Sequence, residues 1–204
     1  MRTSVLAILL TACTGPSPSL DGPALQAYAH DVEHGLTKER TVGDIRTRVT
    51  LLPAALTAWR ALQAADDSCV DPNSVLDAHK RMLTFELAIG PSADARGDVL
   101  LAGVRNAQEV QQRVYALHFD WASMVELTCG SHRSAPVLSA FENTYGITEH
   151  RTVTLAFAPR DSADMDFHTA KEIRLTWDDQ VFGTGRQHFL FDRADLEALP
   201  PTAL

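Results

Sequence analysis

Glu172-Ile173-Arg174-Leu175-Thr176-Trp177-Asp178 sets Ile173, Leu175 and Trp177 on one side of an extended chain, with Glu172, Arg174, Thr176 and Asp178 on the other. Arg186-Gln187-His188-Phe189-Leu190-Phe191 follows after Gly183-Thr184-Gly185. Two alternating runs around a glycine-bearing turn predict a β-hairpin. Period-two alternation gives each strand one buried and one wet face, the pattern of an antiparallel sheet.

The same reading extends toward the amino terminus. Arg151 to Ala158 aligns Val153, Leu155 and Phe157, with threonines opposite. Further strands are predicted at Pro136–Glu142 (Val137, Phe141), Ser123–Cys129 (Val125, Leu127, Cys129), Met82–Ile89 (Leu83, Phe85, Leu87, Ile89) and Thr41–Leu52 (Ile45, Val49, Leu51). Helical spacing appears at Pro23–His34, where Leu25, Tyr28, Ala29 and Val32 form a stripe stopped by Gly35. It recurs at Pro53–Gln63 (Leu56, Trp59, Leu62) and at Asn106–His118, where Asn106 and Glu109 form a capping box. Asp192 caps a last helix that ends at Pro200. The expected fold is β-rich α+β: an antiparallel sandwich or curled sheet of about seven strands with two to four short helices. There is no βαβ rhythm and no glycine-rich phosphate loop.

The amino terminus reads differently. One charge, Arg2, precedes the apolar run Val5-Leu6-Ala7-Ile8-Leu9-Leu10, and Leu10-Thr11-Ala12-Cys13 closes it. The layout is that of an export signal, too short to span a bilayer. The four-residue box resembles the lipobox of bacterial lipoproteins. That resemblance implies a signal peptide over 1–12, acyl chains on Cys13, and a mature chain that begins there. Two or more chains hold a protein stably on a membrane. Thr14, where an inner-membrane retention signal would place Asp, implies the outer membrane. Residues 13–23 are rich in Pro, Gly and Ser and read as the lipidated cysteine and a flexible tether. Residues 24–204 read as one globular domain, about 180 residues long.

Charge narrows the partners. The whole chain has 18 basic and 26 acidic side chains, and loss of residues 1–12 removes only Arg2. So acidic a body lacks the basic footprint that nucleic acid requires. Apart from Cys13, two cysteines remain, Cys69 and Cys129. An even pair in an oxidising compartment predicts a disulfide between them. Its loop of about 60 residues would be worth roughly 4 kcal/mol in the chain-entropy model.

Three motifs bear on chemistry. His30-Asp31-Val32-Glu33-His34 fits H-x-x-E-H, in which two histidines one helical turn apart grip zinc and the glutamate acts as base. Glu109 lies at the spacing of a third ligand. Both histidines project away from the apolar stripe, so a solvated helix face competes with the zinc reading. Asp161, Asp164 and Asp166, followed by His168, offer oxygen ligands for calcium, but without EF-hand spacing they read as a turn. Asp178 and Asp179 point to opposite faces of a strand, and Asp179 reads as the turn initiator. No G-x-S-x-G nucleophile motif occurs, and Gly130-Ser131-His132 has no recognisable triad context in the sequence.

Several stretches occur in an order similar to that of a family of bacterial lipoproteins of unassigned activity. They are Glu33-His34-Gly35-Leu36, Val42-Gly43-Asp44-Ile45, Leu51-Leu52-Pro53, Phe141-Glu142-Asn143-Thr144-Tyr145-Gly146 and Asp178-Asp179-Gln180-Val181-Phe182-Gly183-Thr184-Gly185. The resemblance covers about half of the mature chain. It implies a turn at His34-Gly35, where the family commonly has Asn, and it implies no activity. The expected function is that of a lipid-anchored envelope protein, a non-catalytic binding or assembly module without cofactor. A partner protein would be recruited on a sheet face or by strand addition. The alternative is a zinc-dependent hydrolase using His30, Glu33 and His34.

Overall fold

The computed structural model describes residues 19–65, 70–142, 148–161 and 163–203. They form a β-rich α+β fold with two antiparallel sheets. The strands are β1 (Thr37–Val42), β2 (Ile45–Leu52), β3 (Leu83–Pro91), β4 (Val125–Cys129), β5 (His132–Ser134), β6 (Leu138–Glu142), β7 (Arg151–Phe157), β8 (Glu172–Asp179) and β9 (Gly185–Asp192). One sheet has the order β1-β2-β3-β7-β6, the other β5-β4-β8-β9. The helices are α1 (Gly22–His30), α2 (Ala54–Ala64), α3 (Pro72–Lys80), α4 (Ala107–Phe119), α5 (Trp121–Met124), α6 (Met165–Thr169) and α7 (Arg193–Glu197).

The sheets stack face to face. Val49, Leu51, Phe85, Leu87, Val153 and Leu155 of the larger sheet share one core with Leu127, Ile173, Leu175, Trp177, Phe189 and Phe191 of the smaller. Phe85 marks the seam, 5.6 Å from Phe191 across it and 5.7 Å from Phe157 beside it. Leu117 of α4 and Trp121 and Met124 of α5 close one end of this core. A second, smaller core lies on the outer face of the larger sheet, where Leu25 and Ala29 of α1 and Leu56 of α2 cover Leu36 and Leu52. The order is therefore helices, sheet, sheet. A fully buried Val/Leu/Ile/Phe side chain contributes about 1.5–3 kcal/mol, so these faces dominate stability.

The hairpin predicted at 172–191 is present as β8–β9, with Trp177 opposite Gln187. Its turn is organised by Asp179, as expected. One carboxylate oxygen accepts from Val181 N and Phe182 N at 2.8 and 2.9 Å; the other accepts from Thr184 N and Oγ1 at 2.7 and 2.6 Å. The capping-box-like pair of α4 is present in part: Asn106 Oδ1 accepts from Glu109 N at 3.0 Å, whereas Glu109 Oε2 accepts at 2.9 Å from Arg105 N, one residue before the N-cap.

Several expectations need correction. Nine strands and seven α-helices occur among the described residues, where about seven and two to four were expected. The strand read at Thr41–Leu52 is a hairpin, because Gly43-Asp44 turns the chain between Val42 and Ile45. Val137 is 63 % exposed, since β6 is an edge strand. The tether read at 13–23 ends sooner. Leu20 donates to Pro201 O at 2.8 Å and accepts from Ala203 N at 2.9 Å, and Asp21 caps α1. Gly22 packs so closely on Trp59 that a Cβ would stand 2.0 Å from the indole. Leu20–Pro23 therefore belongs to the domain. Residues 1–18, with Cys13, lie outside the described residues.

Candidate functional site

The two sheets are covered unequally. Helices lie on the outer face of the larger sheet, whereas among the described residues no helix lies across the outer face of the smaller one. Side chains at alternate positions of β4, β5, β8 and β9 line a trough there of about 550 Å³. Its charged lining is Arg133, Arg174 and Arg186 with Glu126 and Asp178; Thr128, Thr176 and His188 add neutral polar groups. Antiparallel pairing sets the rows: Thr128 faces Arg133 on one side and Arg174 on the other, and Thr176 faces His188. The Thr176 hydroxyl lies 3.0 Å from His188 Nδ1. Arg186 donates to Asp178 at 2.7 Å and Arg174 to Glu172 at 2.6 Å, while Arg133 stands 3.8 Å from Glu126. All three pairs are exposed, and such pairs contribute about 0–1 kcal/mol. The arginines can therefore exchange their partners for a ligand at small cost.

A second constellation lies on the inner side of the same sheet. Gly130-Ser131 makes the two-residue turn between β4 and β5, with φ of 57° at Gly130. That conformation suits glycine, and a Cβ there would meet Asp166 Cγ at 2.9 Å. The turn brings His132 opposite Cys129, so its ring faces the core, and its exposure is 0 %. His132 Nδ1 lies 2.6 Å from Asp164 Oδ2, and His132 Nε2 lies 2.8 Å from Ser134 Oγ. Phe167 packs edge-on against the imidazole at 4.9 Å.

Asp164 is well placed to remain charged. The His132 hydrogen bond, helped by the N–H groups of Arg160 and Phe167, holds its carboxyl well below the usual range. The ionised carboxylate can only accept, so Nδ1 of His132 carries a proton and donates. In the neutral ring Nε2 is then the acceptor, and the Ser134 hydroxyl donates to it. Beside this chain, Asp166 Oδ2 accepts from Ser131 N at 2.7 Å and from Ser131 Oγ at 2.5 Å, which lowers its pKa as well. Sequence reading missed the relay because Asp164 is distant in the chain. The only local signal was His132-x-Ser134, two residues that share one face of a strand.

The H-x-x-E-H motif, the basis of the alternative zinc reading, is split. Helix α1 ends at His30; Asp31 is extended, with ψ of 123°, and its side chain caps a separate 3₁₀ turn, Val32–His34. His30 and His34 thus do not occupy successive turns of one helix. His30 lies 3.4 Å from Glu86, which also accepts from Arg60 at 3.0 Å. Burial pulls the His30 pKa down, with Glu86 opposing. His34 stacks on Tyr28 at 3.7 Å, Glu33 is exposed, and Glu109 is engaged in the α4 cap. Among the described residues no group of three His, Cys, Asp or Glu side chains is placed to hold a metal ion.

Of the expected Cys69–Cys129 pair, only Cys129 is among the described residues. Cys129 is a free thiol, fully buried on the inner face of β4 opposite Ile173. Burial pushes its pKa up to about 11. Cys69 lies outside the described residues; Ala65 and Val70, on either side of that segment, are exposed. The Asp161 carboxylate accepts from Ala163 N at 2.8 Å in a local turn. Compared with protein families, curated proteins and solved structures, the chain matches none.

Proposed function

We propose that the chain is a lipid-anchored protein of the bacterial envelope, held on the outer membrane by acyl chains on Cys13, and that its domain binds a partner protein through the open face of the smaller sheet. The observation that carries the binding part is the unequal covering of the two sheets. One outer face is partly covered by α1 and α2 over an apolar cluster; the other presents a polar trough with three arginines whose counter-ions are exposed. A partner segment bearing both carboxylates and cations complements that lining.

The anchor part rests on the Leu10-Thr11-Ala12-Cys13 box. No described helix is long and apolar enough to cross a membrane. Among the described residues the first tied into the domain is Leu20, seven residues beyond Cys13. Even fully extended, that link spans at most about 25 Å, so the α1 side of the domain would stand close to the lipid surface and the trough would face away from it.

Photo-crosslinking in the native host tests the binding part. A photoreactive side chain at Thr128, in the middle of the trough, is expected to give one discrete protein adduct. That adduct should be lost when Arg133 and Arg174 are both replaced by Glu. A probe at Ala88, on the outer face of the larger sheet, should not give it. An adduct that is equally strong from both positions, or indifferent to the double replacement, would overturn the assignment.

A further inference from the structure

We propose that Ser134 is a nucleophile, with His132 as the base that takes its proton and Asp164 as the positioning residue, and that this edge of the sandwich transfers acyl groups from small esters to water. The inference does not rest on the trough, which lies on the opposite face of the sheet. It rests on the chain of contacts Asp164 Oδ2–His132 Nδ1 at 2.6 Å and His132 Nε2–Ser134 Oγ at 2.8 Å. Nucleophile, base and orienting carboxylate are recognised by this mutual geometry and not by sequence order.

The setting supports the roles. The imidazole is fully buried, clamped by Phe167, and bonded at both nitrogens, so its orientation is fixed. Asp164 is itself held, its side chain 6 % exposed, with Oδ1 accepting from Phe167 N at 3.3 Å and Oδ2 from Arg160 Nε at 3.3 Å. Ser134 is half-buried and stands on β5, an edge strand. Ester carbonyls are the matching electrophiles, since a neutral serine aimed at an imidazole nitrogen gains nucleophilicity as its proton departs.

The step balances without a cofactor. The Oγ–H bond breaks as Oγ bonds to the ester carbonyl carbon, and the proton passes to Nε2. Collapse of the adduct breaks the bond to the alcohol, which leaves with that proton. Water, giving its proton to Nε2, then attacks the acyl-serine; the bond between the acyl carbon and Oγ breaks, the carboxylic acid leaves, and Oγ takes the proton back. A positioned base alone contributes about 10²- to 10⁴-fold. Turnover is therefore slow, and covalent capture is the sensitive readout.

The test treats the full chain with an alkyl fluorophosphonate and maps the adduct by peptide mass spectrometry. One probe per chain is expected, on Ser134. The adduct should be absent in Ser134→Ala and should form at least about 10²-fold more slowly in folded His132→Gln. Asp164→Asn should be slow as well, and Asp164→Glu, which keeps a carboxylate, should recover part of the rate. An unmodified Ser134 in the unaltered protein would overturn the proposal, whatever the variants do. So would unchanged rates in folded His132→Gln or Asp164→Asn.

Discussion

Replacing Asp179 by Ala removes the centre of the β8–β9 turn. Its side chain is nearly buried, and its two oxygens take four hydrogen bonds, three of them from backbone N–H groups. Hydrogen bonds to a charged acceptor net about 1.5–3 kcal/mol each, but four that order one loop do not add, and water reaches part of a freed turn. The turn also seats Phe182, which lies 6.5 Å from Trp177 and beneath the Arg113 guanidinium at 4.9 Å. A loss of about 3–4 kcal/mol is expected, which in a chain of this size lowers Tm by roughly 6–16 °C. Asp179→Asn keeps one acceptor but turns an amide toward Thr184 N, so it should lose about 2–3 kcal/mol. The assay is urea unfolding with an unchanged m-value. Asp178→Ala is the control, because its exposed pair with Arg186 should cost less than about 1 kcal/mol. If Asp179→Ala and Asp178→Ala unfold at the same urea midpoint, the reasoning is refuted.

Other expectations follow from single contacts. Cys129 should be inert to a thiol reagent at pH 8 in the folded chain and react at once in denaturant, because burial holds its pKa near 11; rapid labelling of the folded chain at this residue would contradict the packing. Asp164 and Asp166 both titrate below the ordinary carboxylate value, so their contribution is complete above about pH 4 and is lost as pH falls through the depressed folded values. The urea midpoint should accordingly fall steeply below pH 4, and the gap between the unaltered chain and Asp166→Asn should narrow there; a constant gap would exclude this linkage. Gly22→Ala forces a methyl group into Trp59 and should cost about 1–3 kcal/mol by urea titration, against no loss at all if the two are not packed together.

Alternation carried the sheets. β7, β8 and β9 were legible because each has one mostly apolar and one mostly polar face, and the α4 and α7 caps were legible from Asn106, Glu109 and Asp192. What failed was of a different kind. Helix α3 buries none of its residues, so no stripe marked it, although Asp71-Pro72 is a start signal. The α1 stripe ran on through Val32, yet Val32 is 54 % exposed because Asp31 ended the helix to cap the next turn. The trough was visible as the wet face of the carboxy-terminal hairpin, but which sheet face the helices leave open is a tertiary fact. The Asp164–His132 contact spans 32 residues, and no local pattern announces it.

The most direct measurement on the envelope assignment is the intact mass of the protein isolated from its host membranes, with fragmentation of its amino-terminal peptide. The expected product begins at Cys13, with a diacylglyceryl thioether on its sulfur. A chain that retains Met1, or that carries an unmodified sulfur at position 13, would contradict the assignment.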